Sequence, residues 1–158
     1  CLSKDEMAVT KLTEREKALA KEKLMLAAVL QFTLPGVPCI YYGDENGMEG
    51  YRDPFCRRCF DWTNTDGELL SFYRKLGRLR SCNPEFSDGE YKEIFADEHC
   101  LVYARTKQNR SVYVYINNSY STYNLRFDGE IVDLMSSESF NGVIPCTAKS
   151  YRVFRKVE

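Results

Sequence analysis

Residues 24–30 read Leu-Met-Leu-Ala-Ala-Val-Leu, and no other stretch restricts the fold of this chain as tightly. They finish a helical pattern that starts after Thr13, where Thr13 and Glu16 form an S/T-x-x-E capping box. The first half of that helix is charged (Glu14, Arg15, Glu16, Lys17, Lys21, Glu22, Lys23), whereas the second half is apolar on nearly every face. A helix end that is apolar all round has to be covered on several sides. Pro35-Gly36 stops the helix. Residues 37–42 then run Val-Pro-Cys-Ile-Tyr-Tyr without alternation, which is how a strand buried on both faces of a parallel sheet reads. Such a strand needs parallel neighbours, and the pattern shows none nearby. A chain of this length has little material to cover such a helix end, and an opening residue Cys1 in place of Met is read as the mark of a fragment.

The remaining elements fall into two regimes. Ser3 with Glu6 and Thr65 with Glu68 repeat the capping-box pattern. Leu69, Phe72, Tyr73, Leu76 and Leu79 recur at helical spacing until Asn83-Pro84 ends the run. Between the two long helices lies a loop over residues 43–66, rich in Gly, acidic residues, Arg and aromatics, and loops of that length usually carry function. Beyond residue 90 the pattern changes to short strands at 91–95, 100–106, 111–117, 123–127, 131–134 and 151–155. Turn residues at Asp97, Gln108-Asn109, Asn117-Asn118, Asp128-Gly129 and Asn141-Gly142 separate them. This predicts an antiparallel sandwich. Its expected core is Ile94, Leu101, Tyr103, Val112, Val114, Ile116, Leu125, Val132, Leu134, Val153 and Phe154.

Composition closes off several classes. With 22 Lys+Arg against 23 Asp+Glu the net charge is −1, without the basic excess that nucleic-acid binding draws on. No apolar run is long enough to span a membrane, and residues 1–11 mix Lys4, Asp5, Glu6 and Lys11 with isolated apolar positions, unlike a signal peptide. The seven cysteines (Cys1, Cys39, Cys56, Cys59, Cys82, Cys100, Cys146) are odd in number and scattered, so reduced thiols in a cytoplasmic protein are expected. Cys56-Arg57-Arg58-Cys59 is a C-x-x-C, but it lacks the further ligands of a zinc site and the helix start of a redox pair. No metal or other cofactor is expected.

The stretch from Leu34 to Trp62 holds the pattern G-x-P-x-I-Y-Y-G-D-E-x-G-M-x-G in Gly36-Val37-Pro38-Cys39-Ile40-Tyr41-Tyr42-Gly43-Asp44-Glu45-Asn46-Gly47-Met48-Glu49-Gly50. Asp53-Pro54 and Arg57 complete D-P-x-x-R, and Trp62 follows. In these residues the chain resembles the α-amylase family of glycoside hydrolases, and it is most similar to the neopullulanase and cyclomaltodextrinase group. The resemblance implies an α+β fragment: the last strand and helices of a (β/α)8 barrel over residues 1–84, then an all-β antiparallel sandwich as a C-terminal domain over residues 85–158. A whole barrel takes roughly 250 residues. On this reading residues 37–42 are the eighth strand, and the apolar surface of residues 24–34 faces the rest of the barrel.

The family's chemistry implies a retaining hydrolase with two carboxylates about 5–5.5 Å apart, one nucleophile and one acid/base. A third carboxylate is preceded by His, and all three lie upstream of the matched segment. Here the one histidine, His99, precedes Cys100, so no catalytic residue is assigned. Asp44 and Glu45 are adjacent and cannot readily flank one bond from one face. The resemblance makes Asp53 and Arg57 the substrate-binding candidates, accepting from and donating to sugar hydroxyls. A loop-locking ion pair between the two remains the open alternative. Of the aromatics, Tyr41, Phe60 and Trp62 are expected in the core, with Tyr42 open.

The expected function is that of a fragment of an α-glucan hydrolase acting on α-1,4 linkages, extended to α-1,6, of maltooligosaccharides, cyclodextrins or pullulan, inactive by itself. A non-catalytic carbohydrate-binding or interaction module is the alternative. Partners would be α-glucan oligosaccharides, with no nucleic acid and no membrane; the apolar helix face and unpaired strand of residues 18–42 are expected either to self-associate or to repack against the chain's own β domain.

Overall fold

A computed structural model describes residues 2–157 of the chain. Four helices precede six strands: α1 (Lys4–Val9), α2 (Glu14–Thr33), α3 (Gly67–Cys82), α4 (Glu85–Asp88), β1 (Glu90–Ala96), β2 (Cys100–Lys107), β3 (Arg110–Asn117), β4 (Tyr123–Asp133), β5 (Ser139–Cys146) and β6 (Ser150–Lys156). The capping boxes at Ser3 and Thr13 form as the sequence predicts, each with its glutamate reaching back to the cap amide. At the third, the cap shifts by one residue. Asp66 takes the place expected of Thr65, and its carboxylate accepts from the amides of Glu68 and Leu69.

The strands form one antiparallel sheet in the order β1-β2-β3-β6-β4-β5. Hydrogen bonding is continuous, so the expected two-sheet sandwich is corrected to a single sheet. β4 joins it to β6 through the short register Ile131↔Lys156, Val132↔Arg155 and Asp133↔Phe154. Both faces carry a core. On one, Tyr103, Val112, Val114, Ile116 and Val153 pack with Leu26, Val29 and Phe32 of α2, Leu69, Phe72 and Leu76 of α3, and Phe86. On the other, Cys100, Val102, Tyr115 and Phe154 pack with Ile131, Ile144 and Cys146 of the β4–β5 hairpin. The alternation of Val112, Val114 and Ile116 toward one face is as expected. Ile94 is not core: every residue of the edge strand β1 is exposed.

Two further expectations are corrected. Residues 123–127 and 131–133 lie in one strand, with Leu134 in the turn after it, and a sixth strand, β5, occupies the place of the expected Asn141-Gly142 turn. The register slips between Arg126 and Glu130, opposite Val143 and Asn141, with Gly129 at φ +91° and Gly142 at φ +78°. Both glycines therefore serve a bulge in a long hairpin, a geometry their positive φ permits.

Residues 37–42 form no strand, because among the described residues no neighbouring strand lies beside them to share backbone hydrogen bonds. Val37 is 92% exposed. The helix before them is covered by the chain's own sheet and α3: Leu26 and Val29 are buried, with Leu24, Met25 and Leu30 packed at the margin. Two arginines fix the end of α2. Arg80 donates to Phe32 O (2.7 Å) and Gly36 O (2.5 Å), and buried Arg105 donates to Thr33 O (2.7 Å) and Gly89 O (2.9 Å). These bonds satisfy carbonyls that a helix end leaves without partners. They also set where the 43–66 loop begins.

Candidate functional site

The loop of residues 43–66 is built around one buried side chain, Asn46. Gly43, at φ +96°, and Gly47, at φ +66°, flank a short 3-10 turn (Asp44–Asn46) and supply the left-handed conformations at its two ends. The Gly43 amide donates to Glu45 Oε2 at 2.9 Å. Asn46 Nδ2 then donates to Asp61 O at 2.9 Å and Asn64 O at 3.4 Å, and its Oδ1 accepts from the Asp66 amide at 3.0 Å. One amide thus joins the start of the loop, its end and the cap of α3. The sequence marks this position only by an Asn-Gly dipeptide, a signal for a turn and not for a buried anchor.

Asp66 is held from a second side. Lys21 of α2 donates to both its carboxylate oxygens (3.0 and 2.8 Å) and to Glu68 Oε2 (2.6 Å). Burial pushes the Asp66 carboxyl up, but Lys21 and the amides of Leu69 and Glu68 outweigh it and hold it below the ordinary carboxylate value. Asp61 is likewise lowered by the hydroxyl and amide of Thr63 and the amide of Asn64. Asp44 moves the other way, raised by burial and by the charge of Glu45.

Asp53 and Arg57 meet directly. Arg57 Nε lies 2.8 Å from Asp53 Oδ1, and its second nitrogen donates to Oδ2 at 2.9 Å, a two-point contact. Both side chains stand in solvent, at 60% and 70% exposure. The residues that anchor this segment lie elsewhere: Tyr42 OH donates to Arg58 O at 2.9 Å and ties residues 37–42 to it. The aromatics are placed differently from expectation. Tyr41 is half exposed, and Trp62 is 81% exposed against the ring of Phe60 at 4.6 Å, so neither is core. Phe60 is half-buried. Open loop ends, with no sheet beneath them, account for the exposure.

Asp44 and Glu45 do not form a catalytic pair here, since Glu45 folds back onto the Gly43 amide. His99 sits in the exposed β1–β2 turn, its amide donating to Asp97 Oδ1 at 2.8 Å. Cys56 is half-buried and Cys59 exposed, both as free thiols, while Cys1 lies outside the described residues. Among the described residues no group of three His, Cys, Asp or Glu side chains is placed to hold a metal, and no helix is long and apolar enough to cross a membrane.

Comparison with known proteins gives the loop its context. Residues 3–125 match the family described as "Alpha amylase, catalytic domain". A cyclomaltodextrinase of Bacillus sp is 38% identical over 110 residues, 67% of this chain and 20% of that protein. Neopullulanase 2 of Thermoactinomyces vulgaris is 41% identical over 100 residues, 61% of this chain and 17% of its own length. The crystal structure of an α-amylase from Geobacillus thermoleovorans, complexed with acarbose, superposes with a TM-score of 0.81 at 25% identity, covering 87% of this chain and 34% of that one. The chain thus spans about one-fifth of the length of the first of these relatives. With the matched region reaching from α1 into β4, the chain belongs to the α-amylase catalytic-domain family.

Proposed function

We propose that this chain is the C-terminal part of a retaining α-glucan hydrolase, with residues 1–84 closing a (β/α)8 barrel and residues 85–158 forming its β domain. The whole enzyme would cleave α-1,4 linkages, and α-1,6 linkages in pullulan-like substrates, of maltooligosaccharides and cyclodextrins. The observation that carries this reading is the loop itself. Asp53 and Arg57 form a solvent-facing carboxylate–guanidinium pair on a segment that the Tyr42 hydroxyl ties down at Arg58, within a loop whose two ends buried Asn46 joins. Together they offer acceptors and donors spaced for adjacent sugar hydroxyls. The names of the relatives, cyclomaltodextrinase and neopullulanase, support the substrate class.

The nucleophile and acid/base lie outside this chain on that reading, so it has no hydrolase activity alone. A cytoplasmic setting fits its reduced cysteines. Residues 37–42, open to solvent, would meet the rest of the barrel in the whole enzyme and a second copy in its absence.

Two measurements test the proposal. The 158-residue chain should release no reducing sugar from β-cyclodextrin or pullulan. Maltoheptaose should shift the amides of residues 51–58 in 15N NMR spectra, with affinity falling about tenfold in Asp53→Asn. Turnover that disappears on changing Asp44 or Glu45 would overturn the assignment, as would a loop indifferent to the sugar.

A further inference from the structure

The second half of α3 carries cations with no acid beside them. Lys75 and Arg78 are both exposed and stand three residues apart, as neighbours on the helix surface, where like charges repel. Leu79 and Cys82 continue the same stripe of the helix. That stripe lines one side of a groove of about 380 Å³, and Leu134, Met135 and Arg155 line it from the sheet. The volume lies within the usual span of small-molecule sites, about 300–1,000 Å³.

The parts of the groove are held by contacts of their own. Buried Asn83 donates to Leu79 O at 2.6 Å, and its Oδ1 accepts from Arg155 of β6, which fixes the half-buried guanidinium. The Nε of Arg155 is buried without an acceptor, so among the described residues one neutral amide is all that its side chain bonds to. Leu134 and Met135 lie in the turn after β4, and Asp133 shapes that turn. Its Oδ1 accepts from the amides of Met135 (2.8 Å) and Ser136 (2.9 Å), and its Oδ2 faces Arg152 at 3.4 Å. This carboxylate is therefore committed away from the groove. Glu85, which shares a separate cavity with Arg155, has its ion pair with Arg110. Among the described residues no carboxylate pairs with Lys75, Arg78 or Arg155.

Three cations from two elements thus border a recess lined by Leu79, Leu134 and Met135, and no carboxylate is in the lining. A cationic ligand is repelled, and a neutral apolar one leaves the charges unanswered. A bare inorganic anion answers the charges but leaves the apolar lining in water. An oxyanion on an apolar body does both: its head accepts from ammonium and guanidinium, and its body covers the leucines and the adaptable methionine.

We propose that this groove binds a small organic oxyanion with an aromatic or branched aliphatic body, free in solution. It shares no residue with the Asp53–Arg57 loop and stands whether or not that loop binds sugar.

NMR titration of the 15N-labelled chain with hydrocinnamate, an aromatic carboxylate, tests it. Saturable shifts are expected at the amides of Arg78, Leu79, Cys82, Leu134 and Met135. The neutral amide of the same acid should bind about tenfold more weakly or worse, and the acid should lose as much when Lys75→Gln is combined with Arg78→Gln. Both substituted positions are exposed on α3, so the fold should be kept. Occupancy should also slow the alkylation of Cys82 by iodoacetamide, read by peptide mass spectrometry, while exposed Cys59 reacts as before. The inference is overturned if acid and amide bind alike, if the double variant binds unchanged, or if inorganic phosphate matches the acid. It is overturned too if phosphatidylglycerol vesicles shift these amides and the soluble acid does not. Failure of maltoheptaose at residues 51–58 would bear on the loop alone.

Discussion

Replacing Asn46 with Ala should open the 43–66 loop while leaving the sheet intact. Two of its hydrogen bonds have good geometry, to Asp61 O at 2.9 Å and from the Asp66 amide at 3.0 Å, and the third, to Asn64 O at 3.4 Å, is marginal. A hydrogen bond contributes about 1 kcal/mol net, and more where truncation strands a buried partner. Asp61 and Asn64 are exposed and can turn to water, whereas Asp66 is half-buried. The loss should therefore be about 2–3 kcal/mol, concentrated on the Asp66 amide and the first turn of α3. At about 1.4 kcal/mol per factor of ten, that corresponds to local opening roughly 30- to 150-fold more frequent. Native-state hydrogen exchange reads it directly. Exchange should accelerate at Asp66, with the amides of β2 and β3 unchanged. Asn46→Asp should fare no better, because a carboxylate oxygen would then face the carbonyls of Asp61 and Asn64. Unchanged exchange at Asp66 would refute the role of Asn46 as anchor. Equal acceleration throughout the sheet would show that the loop is not a separate unit.

Other perturbations probe the rest of the molecule. Leu76, fully buried between α3 and the sheet, should lose about 2–5 kcal/mol on change to Ala, seen as a lower urea midpoint. Asp66 titrates below its ordinary value of 3.8, so the stability it contributes is complete above that value and disappears as pH falls through its lower folded one; Asp66→Asn should flatten this part of the acid-unfolding curve. The self-association proposed for residues 18–42 must use exposed groups. Val37→Glu with Ile40→Lys should lower the dimer fraction in sedimentation, whereas Leu26→Glu or Val29→Glu would unfold the chain, since both residues are internal.

What the sequence made legible was local. The Thr13 box and the Leu69-Phe72-Tyr73-Leu76-Leu79 spacing carry their helices within a few turns of chain, and Val112-Val114-Ile116 carries its register within one strand. What it hid depends on residues far apart. The apolar run of residues 37–42 reads the same whether or not a neighbouring strand exists to pair with it. Asn141-Gly142 looks like a turn until Asp128-Gly129 is known to lie across from it, where the two together make a bulge. Glu85 and Arg155 belong to different elements, and only the fold shows that they share a cavity. At the candidate site, the i,i+4 spacing of Asp53 and Arg57 made their ion pair foreseeable, while the role of Asn46 rests on partners 15 to 20 residues away.

The pairing of Asp53 with Arg57 was one of two alternatives in the sequence, and observing it does not decide against the other. Both side chains are mostly exposed, and ion pairs of that kind contribute about 0–1 kcal/mol. So small a contribution cannot be what holds a loop already fixed by a buried asparagine and a tyrosine hydroxyl. The pair is better understood as two polar groups kept near each other and readily opened, each keeping hydrogen-bonding capacity beyond what its neighbour uses. The two roles then separate in experiment. If the pair locks the loop, Asp53→Asn should lower the thermal midpoint and speed exchange across residues 51–58, with any loss of sugar binding following from disorder. If the loop presents the pair to sugar, the same change should leave stability within about 0.5 kcal/mol and exchange unaltered. Maltoheptaose affinity would fall all the same. The second outcome is expected here, because the anchors of the loop are elsewhere.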